Sequence, residues 1–250
     1  MSLKSKIKHV ISFLLHGEPK PTYAKVTLLQ PNCLLIGKKV IITGGGRGLG
    51  FAMAKKFVSE GAEVLIAGRN EETLVKSATE IGCKYLKLDV QDISSFKAFI
   101  NEADKMLGGA NCLVNNAGIS LHENGFLDVS PEQFDSQFDT NLKGPFFLSQ
   151  CFINKCEENG VIGTKNILFN SSETSMTVDE RPYGLTKASL NSLVQGLAYR
   201  YVHQGYRINA IAPGITVSEM RSKCRKYKLE HGLDVIFIDY LQMMTAGSKR

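Results

Sequence analysis

The feature that most constrains this chain is a regular alternation, from Lys39 onward, of short apolar runs with stretches of helical periodicity. Lys39–Thr43 (KVIIT) is apolar and ends at glycines, as a buried strand does. Phe51, Ala54, Phe57 and Val58 then recur at helical spacing, and Gly61 stops that helix. Residues 62–67 read as strand, Glu71–Ile81 as helix, 85–89 as strand and 92–107 as helix, with Asp92 at its N-cap. Cys112–Asn115 is strand, and Ser130 caps a long helical stretch with Pro131 at its first position. Residues 166–170 (strand), 181–203 (helix) and Tyr206–Ile211 (strand) complete the series. Consecutive parallel strands need a crossover of a dozen or more residues, and right-handed crossovers put helices on both faces. The pattern therefore predicts an α/β fold, a doubly wound parallel sheet with its ligand crevice at the carboxyl ends of the strands.

Composition narrows the class. With 250 residues, 43% of them apolar and 22% charged, the chain suits one soluble domain with an appendage and excludes collagen, coiled coil and disorder. No apolar run is long enough to span a bilayer. The net charge of +6 suits an anionic ligand but does not by itself argue for nucleic acid. The six cysteines form no CxxC, and no histidine stands beside them at zinc spacing. They read as reduced thiols of a cytoplasmic protein with no metal site.

The segment 1–36 reads as an N-terminal extension. Leu3, Ile7, Val10, Ile11 and Leu14 recur at helical spacing, which predicts a short amphipathic helix packed on the body or on a partner subunit. Its basic polar face leaves a membrane-surface anchor as the alternative, and the apolar run is too short for a signal peptide.

The junction of the first strand and helix carries the first chemical signal. Thr43, Gly44, Gly46, Arg47, Gly48, Leu49 and Gly50 form a glycine-rich turn of the pattern TGxxxGxG, not GxGxxG. Glycines let phosphate oxygens approach the backbone, and the amides of the helix start face the anion. The turn alone is also what a tight strand-to-helix corner needs; its place at the first βα junction points to a dinucleotide. A ribose-binding acid is expected about 20 residues on, at the end of the second strand. Gly68 and Arg69 occupy that neighbourhood instead. Arg69 and Arg47 offer cations to a 2′-phosphate, which predicts NADP(H) in preference to NAD(H).

Further along, Asn115-Asn-Ala-Gly118, Asn141, Ser171-Ser172, Tyr183-Gly-Leu-Thr-Lys187 and Pro213-Gly214 follow in order. Tyr183 and Lys187 stand four apart, on one helix face, where an ammonium favours the phenolate form. Together with the glycine turn these motifs resemble the classical short-chain dehydrogenase/reductases over about residues 37–217. The resemblance implies a single Rossmann-type domain over 37–217. It also implies hydride transfer between a nicotinamide and a carbonyl or secondary alcohol. Tyr183 would be the general acid or base, and Lys187 would also hold the nicotinamide ribose. Ser172, or Ser171 beside it, would orient the substrate oxygen, and Asn141 would hold a water of the proton relay. Asp89 and Val90 would lie beside the adenine. Asn115, Asn116, Ala117 and Gly118 would line the cofactor floor and brace the sheet, and Pro213 and Gly214 would turn the chain past the nicotinamide. A small-molecule substrate and a homodimer through the two long helices are the implied partners; substrate identity would be set largely by the loop 119–129 and by the lid.

Past Ile215 the pattern changes. Residues 216–244 resemble the Walker B region of a replicative DNA helicase, with Asp239 matching its acid. No GxxxxGK[ST] accompanies it, so ATP hydrolysis is not expected. Residues 218–250 thus read as an atypical tail, helix over 217–231 and then strand over 234–239. That strand could extend the sheet while leaving the substrate lid missing. Two alternatives to the oxidoreductase follow: a dinucleotide-binding protein with little turnover, and a nucleic-acid-associated module acting through the basic tail.

Overall fold

The computed structural model describes residues 32–214. Its strands are β1 (Lys39–Thr43), β2 (Glu63–Gly68), β3 (Lys84–Lys87), β4 (Cys112–Asn115), β5 (Lys165–Asn170) and β6 (Tyr206–Ile211). They form one sheet in the order β3-β2-β1-β4-β5-β6, every neighbouring pair parallel. The helices are α1 (Gly48–Ser59), α2 (Glu71–Ile81), α3 (Phe96–Leu107), α4 (Pro131–Phe138), α5 (Gly144–Glu158) and α6 (Pro182–Tyr201). The strand order reverses between β1 and β4, and a doubly wound sheet opens its ligand crevice at such a switch point.

Successive residues of a strand face opposite sides of the sheet, and the core divides accordingly. Val40, Ile42, Val64, Ile66 and Val114 pack with Ala54 of α1 and with Leu74 and Ala78 of α2. Ile41, Leu65, Leu113 and Ile167 pack on the other face with Phe96, Ile100, Phe152 and Leu190 of α3, α5 and α6. Both faces are covered, which is why β1 and β2 read as unbroken apolar runs rather than alternating ones.

Local sequence is obeyed with three refinements. Ser130 forms the expected cap as a full capping box: Gln133 N–H donates to Ser130 Oγ at 3.3 Å, and Ser130 N–H donates to Gln133 Oε1 at 3.0 Å. Asp92, in contrast, does not cap α3. A 3₁₀ turn over Ile93–Ser95 intervenes, and the Asp92 carboxylate accepts from the Ser94 hydroxyl instead. The long helical stretch is interrupted by a π-helical turn over Asp139–Lys143, which carries Asn141. Just beyond it a Cβ on Gly144 would run into the Val90 carbonyl oxygen, so glycine is required where α5 passes this loop. The third strand is also shorter than the expected 85–89, although Leu88 N–H still donates to Gly68 O at 2.9 Å.

The amphipathic N-terminal helix, the tail 218–250, its added strand and Asp239 all lie outside the described residues. Among the described residues no helix is long and apolar enough to cross a membrane, and no group of His, Cys, Asp and Glu could hold a metal ion.

Candidate active site

A cleft of about 960 Å³ lies over the carboxyl ends of the strands at the switch point. Its walls include Thr43, Gly44, Gly46, Arg47, Gly48, Leu49 and Gly50 from the glycine turn, and Arg69, Asp89 and Val90 from the ends of β2 and β3. Asn116, Ala117 and Gly118 follow β4, Ser171 and Ser172 follow β5, Tyr183 and Lys187 come from α6, and Pro213 and Gly214 follow β6. Of the residues singled out in the sequence for the site, Asn115 and Asn141 lie outside these walls.

The glycine turn is shaped for close approach. Gly44 and Gly48 hold φ of +65° and +57°, the left-handed region that favours glycine. A Cβ on Gly50 would collide with the Gly44 carbonyl oxygen and stand 2.5 Å from Asn116 Nδ2. Helix α1 starts here with no side-chain cap and no acidic residue in its first turn. By contrast α2 is capped by Asn70, whose Oδ1 accepts from Thr73 N–H at 2.7 Å. The uncapped amides and positive end of α1 therefore face the cleft between Arg47 and Arg69, an arrangement that suits an anion.

The turn is tied to the catalytic candidates by a chain of amides. Thr43 Oγ1 accepts from the backbone N–H groups of Asn116 and Ala117, each at 3.0 Å. Asn116 Nδ2 donates to Thr43 O at 2.9 Å, and its Oδ1 accepts from Asn170 Nδ2 at 2.9 Å. The Asn170 carbonyl in turn accepts from Lys187 Nζ at 2.7 Å. Asn170 was not singled out in the sequence, yet it links cofactor floor and lysine. Asn115 points the other way: its Nδ2 donates to Ser149 Oγ at 2.9 Å, so it braces α5 and does not line the floor.

Lys187 is 4% exposed and burial pushes its ammonium down to about 8. Its Nζ lies 5.6 Å from the centroid of the Tyr183 ring. Asn141, 1% exposed, spends its side chain on the loop after β4: Oδ1 accepts from Ile119 N–H and Nδ2 donates to Ile119 O, both at 2.8 Å. A third bond runs from Nδ2 to Thr186 Oγ1 at 3.2 Å. The amide thus clamps that loop to α6 from behind the cleft wall.

The two serines differ in what their hydroxyls do. Ser171 Oγ donates to Asn191 Oδ1 at 2.7 Å. Ser172 Oγ only accepts, from Thr174 N–H at 3.3 Å and Thr174 Oγ1 at 3.0 Å, so its own proton remains to be donated. Glu123, Glu173 and Arg181 also line the cleft. They lie on loops or at a helix end, where no periodicity marks them. The nearest sequence signal was the loop 119–129 as a whole.

A parallel sheet with this strand order, a glycine-lined crevice at its switch point and a Tyr-Lys pair beside it define a nicotinamide-dinucleotide oxidoreductase. The chain belongs to the short chain dehydrogenase family, whose profile matches residues 38–228 and so runs past the last motif at Pro213-Gly214. It is 35% identical over 193 residues to galactitol 2-dehydrogenase of Agrobacterium fabrum, a match covering 74% of this chain and 73% of that protein. A 3-ketoacyl-(acyl-carrier-protein) reductase from Brucella melitensis, crystallised with NADH, superposes with a TM-score of 0.69 at 30% identity, covering 73% of this chain and 77% of that one. A short chain dehydrogenase from Burkholderia cenocepacia, crystallised with NADP, gives 0.65 at 27% identity, covering 73% and 76%.

The collision at Gly50 supplies a test of the cradle. Gly50→Ala is expected to displace the turn and abolish measurable dinucleotide binding, at a stability cost of about 1–3 kcal/mol. Fluorescence titration with NADPH and a thermal melt read the two effects separately.

Proposed function

We propose that this chain is an NADP(H)-dependent oxidoreductase acting on a small carbonyl or secondary alcohol, with Tyr183 as general acid and base. The observation that carries the reading is Lys187: a buried ammonium, anchored on the Asn170 carbonyl and close to the Tyr183 ring, at the wall of the glycine-lined cleft. When bound, the nicotinamide supplies or accepts the hydride at the carbon that carries the reacting oxygen.

The protein's residues hold the geometry and move the proton. In reduction, the Tyr183 hydroxyl gives its proton to the carbonyl oxygen as that oxygen gains charge. In oxidation, the phenolate takes it back. Lys187 stabilises that phenolate and has two further N–H donors for a ribose. Ser172, with its hydroxyl proton unspent, orients the substrate oxygen; Ser171 is committed to Asn191. Asn141 acts as a brace through its amide, so a relay water would rest on its backbone rather than its side chain.

The preference for the phosphorylated cofactor rests on Arg47 and Arg69, both exposed on the cleft wall, and on the absence of a carboxylate at the end of β2 among the described residues. Each charge-assisted contact contributes about 1.5–3 kcal/mol when well formed, and exposure reduces this. Arg69→Ala is therefore expected to weaken NADPH about tenfold and NADH hardly at all. Equal Kd values for the two cofactors in the unaltered protein would remove the preference. The reading as a whole is tested by NADPH oxidation with a panel of carbonyl compounds: tight binding with no turnover of any of them would leave a dinucleotide-binding protein.

A further inference from the structure

The cleft contains a carboxylate that the proton chemistry does not use. Glu123 follows β4, is only 7% exposed, and still lines the cleft. Its Oε1 accepts from Nε2 of Gln137, a residue of α4 that is 0% exposed. The other proton of that amide nitrogen goes to Gln133 O at 3.4 Å, so the amide is fixed with its nitrogen toward the carboxylate. Among the described residues Glu123 Oε2 makes no hydrogen bond. A carboxylate oxygen left open on a ligand cleft is an acceptor available to a donor. The preceding residue, His122, holds φ of +56° and also lines the cleft.

The surrounding charges decide which donor fits. Arg181 is already held by Asp179, with Nε at 2.8 Å and Nη2 at 3.3 Å from its carboxylate oxygens. Its charge is thus already matched by Asp179, with Glu180 and Glu123 also acting on it, while Glu173 adds a further carboxylate to the cleft. A substrate bearing a carboxylate or phosphate would meet Glu123 and Glu173 beside a guanidinium whose charge Asp179 already offsets. A long apolar substrate would leave the Glu123 oxygen buried and unpaired, at a cost of about 1–3 kcal/mol. A neutral molecule with further hydroxyls satisfies it.

We propose that Glu123 is a specificity-determining residue whose Oε2 accepts a hydrogen bond from a second hydroxyl of the substrate, so that the cleft selects neutral polyhydroxylated alcohols and their carbonyl counterparts. This rests on the oxidoreductase reading for its meaning, but its binding test does not. The experiment compares sorbitol, cyclohexanol and 3-hydroxybutyrate as probes, with the full chain saturated with NADP⁺, in the unaltered protein and in Glu123→Ala and Glu123→Gln. Kd values are read by calorimetry and kcat and KM by NADPH absorbance. The unaltered protein is expected to favour sorbitol over both other probes. Glu123→Ala is expected to lower the sorbitol-to-cyclohexanol ratio of affinities about tenfold or more, acting on KM rather than kcat, with partial recovery in Glu123→Gln, which keeps an acceptor oxygen. An unchanged ratio in Glu123→Ala, or tighter binding of cyclohexanol or 3-hydroxybutyrate than of sorbitol by the unaltered protein, overturns the proposal. Cofactor binding with no turnover of any probe counts against the oxidoreductase reading alone, because the Kd ratios still decide the role of Glu123.

Discussion

Tyr183→Phe is expected to lower turnover by a factor of about 10²–10⁴, the contribution of a positioned proton donor, while the Kd for NADPH stays within twofold. The substitution deletes one oxygen and keeps the ring. The ring is half-buried on the first turn of α6. The fold and the dinucleotide cradle therefore survive, because the cradle is built from β1, the glycine turn and the Asn116–Asn170 bridge. In the proposed mechanism, what disappears is the group that neutralises charge developing on the substrate oxygen. Hydride transfer to a carbonyl without that proton must build an alkoxide in a cleft where the remaining donor is Ser172. Stopped-flow NADPH oxidation and a fluorescence titration measure the two quantities. Turnover like that of the unaltered protein would remove Tyr183 from the proton path.

How far the sequence discloses this site depends on the distance over which each decision is made. Strand and helix alternate with a period set by local hydrophobicity, so the sheet and its crevice can be read directly, and Ser130 with Gln133 announces α4 because a capping box spans only four residues. The glycine turn is legible for the same reason. Decisions made by distant neighbours are not. Ser171 and Ser172 are identical in the sequence. They are separated by Asn191, twenty residues away on α6, which takes the proton of Ser171. Asn170 reads as the last residue of a strand, and its place between Asn116 and Lys187 exists only once β4, β5 and α6 are assembled. The π-helical turn at Asn141 adds a single residue to the helical repeat, too small a change for a hydrophobic pattern to register. Asp92 looked like a cap because it precedes an amphipathic run. The 3₁₀ turn that displaces it arises where the chain enters α3, with Phe96 buried at 0% exposure. Glu123 lies in a loop without periodicity, and only its partnership with Gln137 distinguishes it from the solvated acids around it.

Lys187→Met is expected to abolish turnover yet leave the protein as stable as before or more so near neutral pH. The ammonium is 4% exposed and burial holds it down to about 8, below the ordinary lysine value. Burial of the charged form thus costs the native state on the order of 3 kcal/mol at neutral pH. Between pH 8 and the unfolded value near 10.4 the unfolded chain binds more protons than the native one, so stability from this group rises with pH through that window. Methionine removes the cost along with the hydrogen bond to the Asn170 carbonyl, and its thioether fills most of the same volume. The melting temperature of the unaltered protein should accordingly gain on that of Lys187→Met as pH rises from 8 to 10. Activity runs the other way. In the proposed mechanism the ammonium, not the amine, stabilises the Tyr183 phenolate, so reductive turnover of the unaltered protein should fall as pH passes about 8. Parallel thermal melts and initial rates across pH 6–10 separate the two trends. A constant difference in melting temperature would show that Lys187 keeps its proton throughout, and that the energy of its burial is met elsewhere in the bridge it forms with Asn170 and Asn116.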